Sequence, residues 1–220
     1  MKTVNLLGRG PSLKCFNEIP NAEIVVLAND FDREISQIPE FRDYLTKQTI
    51  HLVLNMVVGA ADGYNSIGFF ENYNVVKLVR PYLNGIRVPG SSGQSIPLEE
   101  NFLQDHHKYF MYEGPKYPYD YAGTGIAAFA YTMLDTQADI VNVIGLDFYD
   151  NLNYGKSNYL VPGKENRDFT RDFWKPEDMQ ENVRRLVNGK PNVQVNLNTI
   201  CKNFIDGMED LENLNINIIE

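Results

Sequence analysis

The sequence predicts an α/β fold in which a mostly parallel sheet carries helices on both faces. Three observations carry this prediction. Short apolar runs typical of buried strands alternate along the chain with segments of helical periodicity. Polar residues stand directly after several of these apolar runs. The length of 220 residues suits one well-buried core, so we expect a single domain over residues 1–220.

The first half of the chain is predicted to hold four strands and three helices. The apolar runs at residues 4–7, 24–27, 51–55 and 75–79 are the predicted strands. Pro11 and Ser12 open a brief helix, because proline suits a first turn and serine can cap exposed N–H groups. Longer helices are predicted over residues 38–47 and 98–112, with a Gly-, Ser- and Pro-rich loop before the second of them.

The clearest element of the second half is a helix over residues 123–134. Ile126, Ala130 and Met133 lie on one face of it at helical spacing. A strand follows at residues 140–144, and then residues 150–172, whose charge and weak periodicity predict a long lid-like loop. Residues 177–187 are predicted as a helix, 193–197 as a strand and 199–211 as a closing helix.

The charge and composition exclude several classes of protein. A formal net charge of −9 without a basic cluster disfavours binding to nucleic acid or anionic lipid. No apolar run approaches the roughly 20 residues of a membrane span, and residues 1–4 lack a signal-peptide layout. Cys15 and Cys201 lie far apart, so neither a disulfide framework nor a zinc site is indicated. We expect a cytoplasmic protein.

The polar residues of interest cluster at the carboxyl ends of predicted strands. In parallel sheets ligands bind beyond these ends, where the loops gather. The residues concerned are Gly8, Arg9, Gly10, Pro11, Ser12, Asn29, Asn55, Asp147, Phe148 and Tyr149. Four strand ends therefore supply one candidate ligand-binding edge.

The segment Gly8-Arg9-Gly10-Pro11-Ser12 can place backbone N–H groups and a helix N-terminus close to an anion, such as the phosphate of a nucleotide. It lacks the third glycine of the dinucleotide-binding fingerprint and the Gly-Lys-Ser/Thr of a P-loop. A plain tight turn would give the same pattern.

The other candidate residues also allow a structural interpretation. The amides of Asn29 and Asn55 suit a ribose, a base edge or a sugar hydroxyl, or else they serve turns. Thr124 and Gly125 could hold a phosphate, or cap a closely packed helix. The phenols of Tyr149 and Tyr154 could stabilise charge on a departing phosphate without a metal.

The histidines are His51, His106 and His107. We expect a structural role for His51 in its strand. His106 and His107 are adjacent in a predicted helix and point about 100° apart, which argues against a shared metal site.

Four segments resemble motifs of the bacterial sialyltransferases of glycosyltransferase family 42, in the same order and at compatible separations. Residues 8–14 (GRGPSLK) are similar to the family's GNGPSLK, and residues 123–125 (GTG) to its TSG. Residues 144–149 (IGLDFY) are similar to its SGIDFY, and residues 198–205 (NTICKNFI) to its NSxxxNFI. Together the segments span nearly the whole chain.

The resemblance implies a Rossmann-like fold and a metal-independent, inverting transfer of sialic acid from CMP-sialic acid to a glycan hydroxyl. It implies that the nucleotide-sugar donor is used without a further cofactor and that the acceptor is a glycan. Self-association into a homo-oligomer is left open. By position, the CMP-binding residues would be Gly8, Arg9, Gly10, Pro11, Ser12 and Asn29, with Thr124, Gly125, Gly145, Asp147 and Phe148 around the phosphate, sugar or nucleotide. Asn55 would reach the sugar, while Tyr149 and Tyr154 would steady the leaving phosphate.

The sequence departs from the family pattern at three places. Arg9 stands where the family has asparagine, and Tyr121 where its arginine is expected. The family's catalytic histidine has no counterpart, since no histidine follows His107. Three explanations stay open: another base (Asp168, Asp172, Glu177, Asp178, His106 or His107), a different donor or acceptor, or nucleotide binding with at most slow hydrolysis of a CMP-sugar.

Overall fold

The structure, a computed structural model, is an α/β fold built on one parallel sheet. It describes residues 1–29, 31–53, 72–80, 111–113, 124–147, 160–161, 176–202, 208 and 210–220. Eight strands pair in parallel in the order β5-β4-β3-β2-β1-β6-β7-β8. They are β1 Thr3–Leu7, β2 Ile24–Ala28, β3 Ile50–Val53, β4 Val75–Arg80, β5 Met111–Glu113, β6 Ile140–Ile144, β7 Gln194–Thr199 and β8 Leu214–Ile218.

Helices cover both faces of the sheet, which confirms the predicted fold class. The helices are a 3-10 helix at Pro11–Cys15 and α-helices α1 Asp32–Gln37, α2 Pro39–Leu45, α3 Thr124–Asp135 and α4 Pro176–Asn188. Side chains of α3 and α4 pack in one apolar cluster with Val4 and Leu6 of β1. The 3-10 helix and α2 contribute to a second cluster with Leu7, on the opposite face. The alternation along β1 follows from the two-residue period of a strand.

The order of the strands defines a switch point between β1 and β6. From β1 the chain moves outward through β2, β3 and β4 to β5, and then returns to the other side of β1 as β6. Connections leave β1 and β6 in opposite directions, which opens a crevice at their carboxyl ends in sheets of this kind. The first turn (residues 8–12) and the second turn (residues 145–147) lie at this switch point.

Two predicted helices are wrong where the structure describes them. The last residues of the predicted helix 98–112 belong to β5, since Met111 and Tyr112 pair with β4. The closing helix 199–211 is not formed at its described ends: Thr199 belongs to β7, Leu211 lies outside any helix, and β8 follows. Pairing with β4 outweighs the local helical preference at Met111 and Tyr112, and pairing with β8 does so at Thr199.

Several predicted elements lie outside the described residues or were not anticipated. Most of the helix at 98–112 and of the loop at 150–172 fall outside the described ranges. The short helix α1 and the edge strand β8 have no counterpart among the predictions. The strands β1, β2, β3, β4, β6 and β7 and the helices α2, α3 and α4 agree with the predictions within a few residues.

A row of asparagines runs across four strands of the sheet. Asn142 Nδ2 donates to Asn5 Oδ1 at 2.8 Å, and Asn196 Nδ2 donates to Asn142 Oδ1 at 2.8 Å. Asn215 Nδ2 on β8 extends the row to Asn196 Oδ1 at 3.0 Å. Because the four residues are in register, each inner amide gives one bond and accepts another. The row thereby satisfies polar groups inside the sheet.

We expect Asn142→Leu to lower the free energy of unfolding by about 2–3 kcal/mol, because Asn5 Oδ1 and Asn196 Nδ2 would both lose their partner. Urea denaturation measures this change. The matched control is Asn215→Leu at the exposed end of the row, which should cost no more than about 0.5 kcal/mol. Equal losses in the two variants would contradict this account of the row.

His51 on β3 lies against helix α3, remote in sequence from the two turns. Its Nδ1 atom is 2.9 Å from the hydroxyl oxygen of Tyr131, and Lys77 Nζ lies 5.4 Å from the centre of the Tyr131 ring. Burial, with the positive charges of Lys77 and Lys2, lowers the pKa of His51 from 6.5 to about 4. The neutral imidazole is therefore the form that fits the fold.

This shift makes His51 a source of acid sensitivity. His51 has a lower pKa in the folded protein than in the unfolded chain, so the unfolded chain binds its proton more tightly. Neutral His51 therefore makes its full contribution to the free energy of unfolding above pH 6.5. That contribution is lost progressively as the pH falls from 6.5 to about 4. We expect His51→Gln to flatten this part of the curve of unfolding free energy against pH. An unchanged slope in the variant would show that His51 is not responsible.

Candidate functional site

Backbone hydrogen bonds join the first turn to the second turn. Gly8 N donates to Ile144 O at 2.8 Å, and Gly10 N donates to Gly145 O at 2.8 Å. These bonds continue the pairing of β1 with β6 beyond the ends of both strands. At the switch point the protein's own backbone thus joins the segments that follow β1 and β6.

Glycine is required on both sides of this contact. Gly145 has φ +77°, and a Cβ atom there would collide with the carbonyl oxygen of Gly8. A Cβ atom on Gly10 would overlap the Asp147 carboxylate and come within 2.8 Å of Gly145 O. The glycine pattern of the first turn is therefore explained by its close approach to the second turn.

The Asp147 carboxylate connects the ends of three strands. Its Oδ2 accepts from Ser12 N at 2.8 Å, and its Oδ1 accepts from Thr199 Oγ1 at 2.9 Å and from Ile200 N at 3.0 Å. Ser12 Oγ accepts from Gly145 N at 2.7 Å. Asp147 and Ser12 are both buried. Through these hydrogen bonds Asp147 and Ser12 connect the segments that follow β1 and β6 with the end of β7.

These bonds engage the N–H groups of the first turn that the sequence suggested for an anion. The N–H groups of Gly8, Gly10 and Ser12 donate to Ile144 O, Gly145 O and the Asp147 carboxylate. They are not available to an anion unless those bonds break, and Pro11 carries no N–H group. The turn follows the end of β1, as predicted, and in this structure these three groups bond to the protein itself.

Arg9 forms a buried ion pair with Glu34 of α1. Arg9 Nε lies 3.0 Å from Glu34 Oε1 and 3.1 Å from Oε2, and the exposed fractions of the two side chains are 8% and 0%. Burial raises the pKa of Glu34, while the Arg9 charge acts in the opposite direction. The Arg9 carbonyl accepts from Leu160 N at 2.7 Å. Arg9 thus packs inward, between α1 and residues 160–161.

Asn29 has the features of a ligand-binding residue. It follows β2 with φ 70°, a conformation that is uncommon outside glycine, and its N–H group donates to Val53 O at 2.8 Å. Its side-chain Oδ1 is buried and has no hydrogen-bond partner among the described residues. A buried acceptor of this kind, at the carboxyl end of a strand, suits a donor group of a ligand.

Thr124 and Gly125 open helix α3 beside the second turn. Thr124 is buried, and a Cβ atom on Gly125 would lie 2.9 Å from the Leu146 side chain. Gly125 therefore allows the start of α3 to approach the second turn closely. This contact gives a packing reason for the glycine and brings both residues to the same edge of the sheet as Gly145.

The remaining candidate residues are outside the described part of the chain. This applies to Asn55, Phe148, Tyr149 and Tyr154, and to four of the candidate bases, Asp168, Asp172, His106 and His107. Glu177 and Asp178 lie in the first turn of α4. Glu34 is a residue that the sequence analysis missed, because no local pattern links it to Arg9, 25 positions away.

Within the described ranges no three His, Cys, Asp or Glu side chains gather as a metal site would require. Among the same residues no helix is long and apolar enough to cross a membrane.

The fold resembles that of sialyltransferases of known structure. No protein-family model and no curated protein sequence matches the chain. The match to the sialyltransferase CST-II with CMP, a tyrosine-to-phenylalanine variant, covers 100% of this chain and 90% of that one at a TM-score of 0.55 and 17% identity. The match to an asparagine-to-alanine variant of CST-II with CMP covers 99% of this chain and 90% of that one, at a TM-score of 0.56 and 19% identity. The match to CST-II with a trisaccharide acceptor and CMP covers 99% of this chain and 89% of that one, at a TM-score of 0.54 and 15% identity.

These similarities establish a shared fold over nearly the whole of both chains. The class defined by the fold is thus an open α/β sheet of the sialyltransferase type with its switch point between β1 and β6.

The ion pair of Arg9 and Glu34 predicts strong coupling between the two residues. We expect Glu34→Gln to lower the free energy of unfolding by about 3–5 kcal/mol, because it removes the carboxylate charge that faces the buried Arg9 guanidinium. The double change Arg9→Gln with Glu34→Gln should cost clearly less than the sum of the single changes.

The exposed ion pair of Arg185 and Glu181, whose side chains are 55% and 49% exposed, serves as the control for this comparison of single and double changes. Glu181→Gln should change the free energy of unfolding by no more than about 0.5 kcal/mol. Additive effects at Arg9 and Glu34 in urea denaturation would contradict the coupling.

Proposed function

We propose that the protein is a CMP-sugar-dependent glycosyltransferase of the sialyltransferase type, which transfers a sugar to a glycan hydroxyl with inversion and without a metal. The single observation that carries the proposal is the shared fold, over 99–100% of this chain, with sialyltransferase structures that contain CMP. The four motif-like segments give independent support, because three of them reach the carboxyl edge of the sheet at β1, β6 and β7.

In the proposed complex the nucleotide occupies the crevice at the switch point. Asn29 Oδ1 is a buried acceptor that suits the amino group of cytosine or a ribose hydroxyl. Thr124 and Gly125, at the N-terminus of α3, face the same edge and suit the phosphate. Asn55 is proposed to contact the sugar, and Tyr149 and Tyr154 to donate hydrogen bonds to the leaving phosphate.

The proposed reaction moves one proton and breaks one bond. The acceptor hydroxyl oxygen forms the new bond to the anomeric carbon of the sugar, and the bond from that carbon to the CMP phosphate oxygen breaks. The hydroxyl proton passes to a base. Since no histidine follows His107, we propose a carboxylate of residues 168–178 or one of the two adjacent histidines for this role.

A second candidate function is a CMP-binding protein whose activity is degenerate or only hydrolytic. A specific observation favours it: the buried pair of Arg9 and Glu34 stands where the family has a neutral asparagine. The absence of a histidine after His107 points the same way.

We expect CMP to bind and to raise the melting temperature, while UDP, GDP, NAD and ATP have little effect. At 100 times its dissociation constant CMP should stabilise the protein by about 2.7 kcal/mol. Asn29→Ala should weaken CMP binding about tenfold, because the ligand loses a buried hydrogen bond. Asn215→Leu, in an exposed position on β8, serves as the control. No response to any cytidine nucleotide would refute both candidate functions.

Incubation with CMP-sialic acid and a lactoside separates the two candidates. A transferase yields CMP and a sialylated glycoside in equal amounts, whereas CMP release without that product indicates hydrolysis. In a transferase, Tyr149→Phe should reduce turnover more than CMP affinity. Equal losses in both would contradict a role for this phenol at the leaving group.

A further inference from the structure

Three strand ends meet at the carboxylate of Asp147, which the sequence analysis assigned to the nucleotide. Both of its oxygens accept hydrogen bonds from the protein: Oδ2 from Ser12 N, and Oδ1 from Thr199 Oγ1 and Ile200 N. Its side chain is buried, with an exposed fraction of 4% for the residue. Asp147 therefore has an internal task that is independent of any ligand.

We propose that Thr199, at the end of β7, is a positioning residue that fixes the first turn through Asp147. Thr199 is fully buried, so its hydroxyl acts only on its protein neighbours. For ligand affinity the proposal rests on the proposed nucleotide site, whereas for the position of the turn it stands on the contacts alone.

The Thr199 hydroxyl is held in one orientation by two bonds. Its oxygen accepts from Cys201 N at 3.1 Å and lies 2.9 Å from Asp147 Oδ1. The Cys201 N–H group occupies a lone pair, so the hydroxyl hydrogen is directed to the carboxylate. A bond of this kind to a charged acceptor is stronger than a bond between neutral groups.

A carboxylate is rigid and planar, so the orientation of Oδ1 determines that of Oδ2. The donors Thr199 and Ile200 on one side thus aim the other oxygen at Ser12 N. Ser12 in turn accepts from Gly145 N through its own hydroxyl. A Cβ atom on Gly10 would overlap Asp147, so the turn and the carboxylate are packed without spare space. A rotation of Asp147 would displace the first turn.

The test compares Thr199→Val, which removes the hydroxyl at nearly constant volume, with Thr199→Ser, which keeps it. We expect Thr199→Val to speed amide hydrogen exchange at Ser12 and Ile200 and to weaken CMP binding about tenfold. Thr199→Ser should preserve both properties within about twofold. The matched control is Thr132→Val, which removes another fully buried threonine hydroxyl, bonded to Ala128 O within α3; it should leave Ser12 exchange and CMP affinity unchanged.

Each outcome decides the proposal. Normal Ser12 exchange in Thr199→Val, or an equal change in Thr132→Val, would overturn it. If the wild-type protein does not bind CMP, the proposed function fails, and the exchange data alone judge the role of Thr199. If Thr199→Val does not fold, exchange in the wild type decides: the amides of Ser12, Ile200 and Cys201 should open together as one unit, and separate opening would overturn the proposal.

Discussion

The contact between Gly8 and Gly145 is the constraint on which the switch point depends. Here the turns after β1 and β6 approach so closely that neither glycine can carry a Cβ atom, and Gly145 must adopt a positive φ. The approach lets Gly8 N and Gly10 N reach carbonyl oxygens of the opposite segment. It also brings Ser12 within reach of Asp147, and Asp147 within reach of β7. A single backbone contact thus positions the polar groups of three strands.

The same constraint decides which groups remain for a ligand. The N–H groups of Gly8, Gly10 and Ser12 are engaged in the contact, and the Arg9 guanidinium is directed toward Glu34. A phosphate therefore gains no hydrogen bond from these three N–H groups while the contact is intact, although the position of the turn still shapes the space beside it. Asn29, one strand further along, presents a buried oxygen without a partner in the described part of the chain. Neutral hydrogen bonding at the end of β2 is thus better supported than capture of an anion by the first turn.

The sequence predicted the central strands well, because β1, β2 and β6 are apolar runs buried on both faces and lie between clear turn signals. It failed where tertiary pairing competes with helical composition. Residues 214–218 alternate Leu, Asn, Ile, Asn and Ile, which is the two-residue period of a strand and forms β8. The prediction ended with a closing helix at 199–211 and named no strand after it. The described candidate residues 8–12, Asn29 and Asp147 follow the ends of strands, as predicted, but the protein groups that they contact were not anticipated. Thr199 and Glu34 lie 52 and 25 positions from Asp147 and Arg9, beyond any local pattern.

The pair of Arg9 and Glu34 also changes how the departure from the sialyltransferase motif should be understood. An arginine in place of asparagine would be a large, charged intrusion if it pointed into the crevice. Here its charge is balanced within the protein by a carboxylate on α1, and its carbonyl anchors residues 160–161. Replacing Arg9 with asparagine alone would leave Glu34 buried without the Arg9 charge, at a cost of several kcal/mol. Position 9 is therefore one half of a two-residue feature, and the proposed nucleotide site must be compared with the sialyltransferases at both positions together.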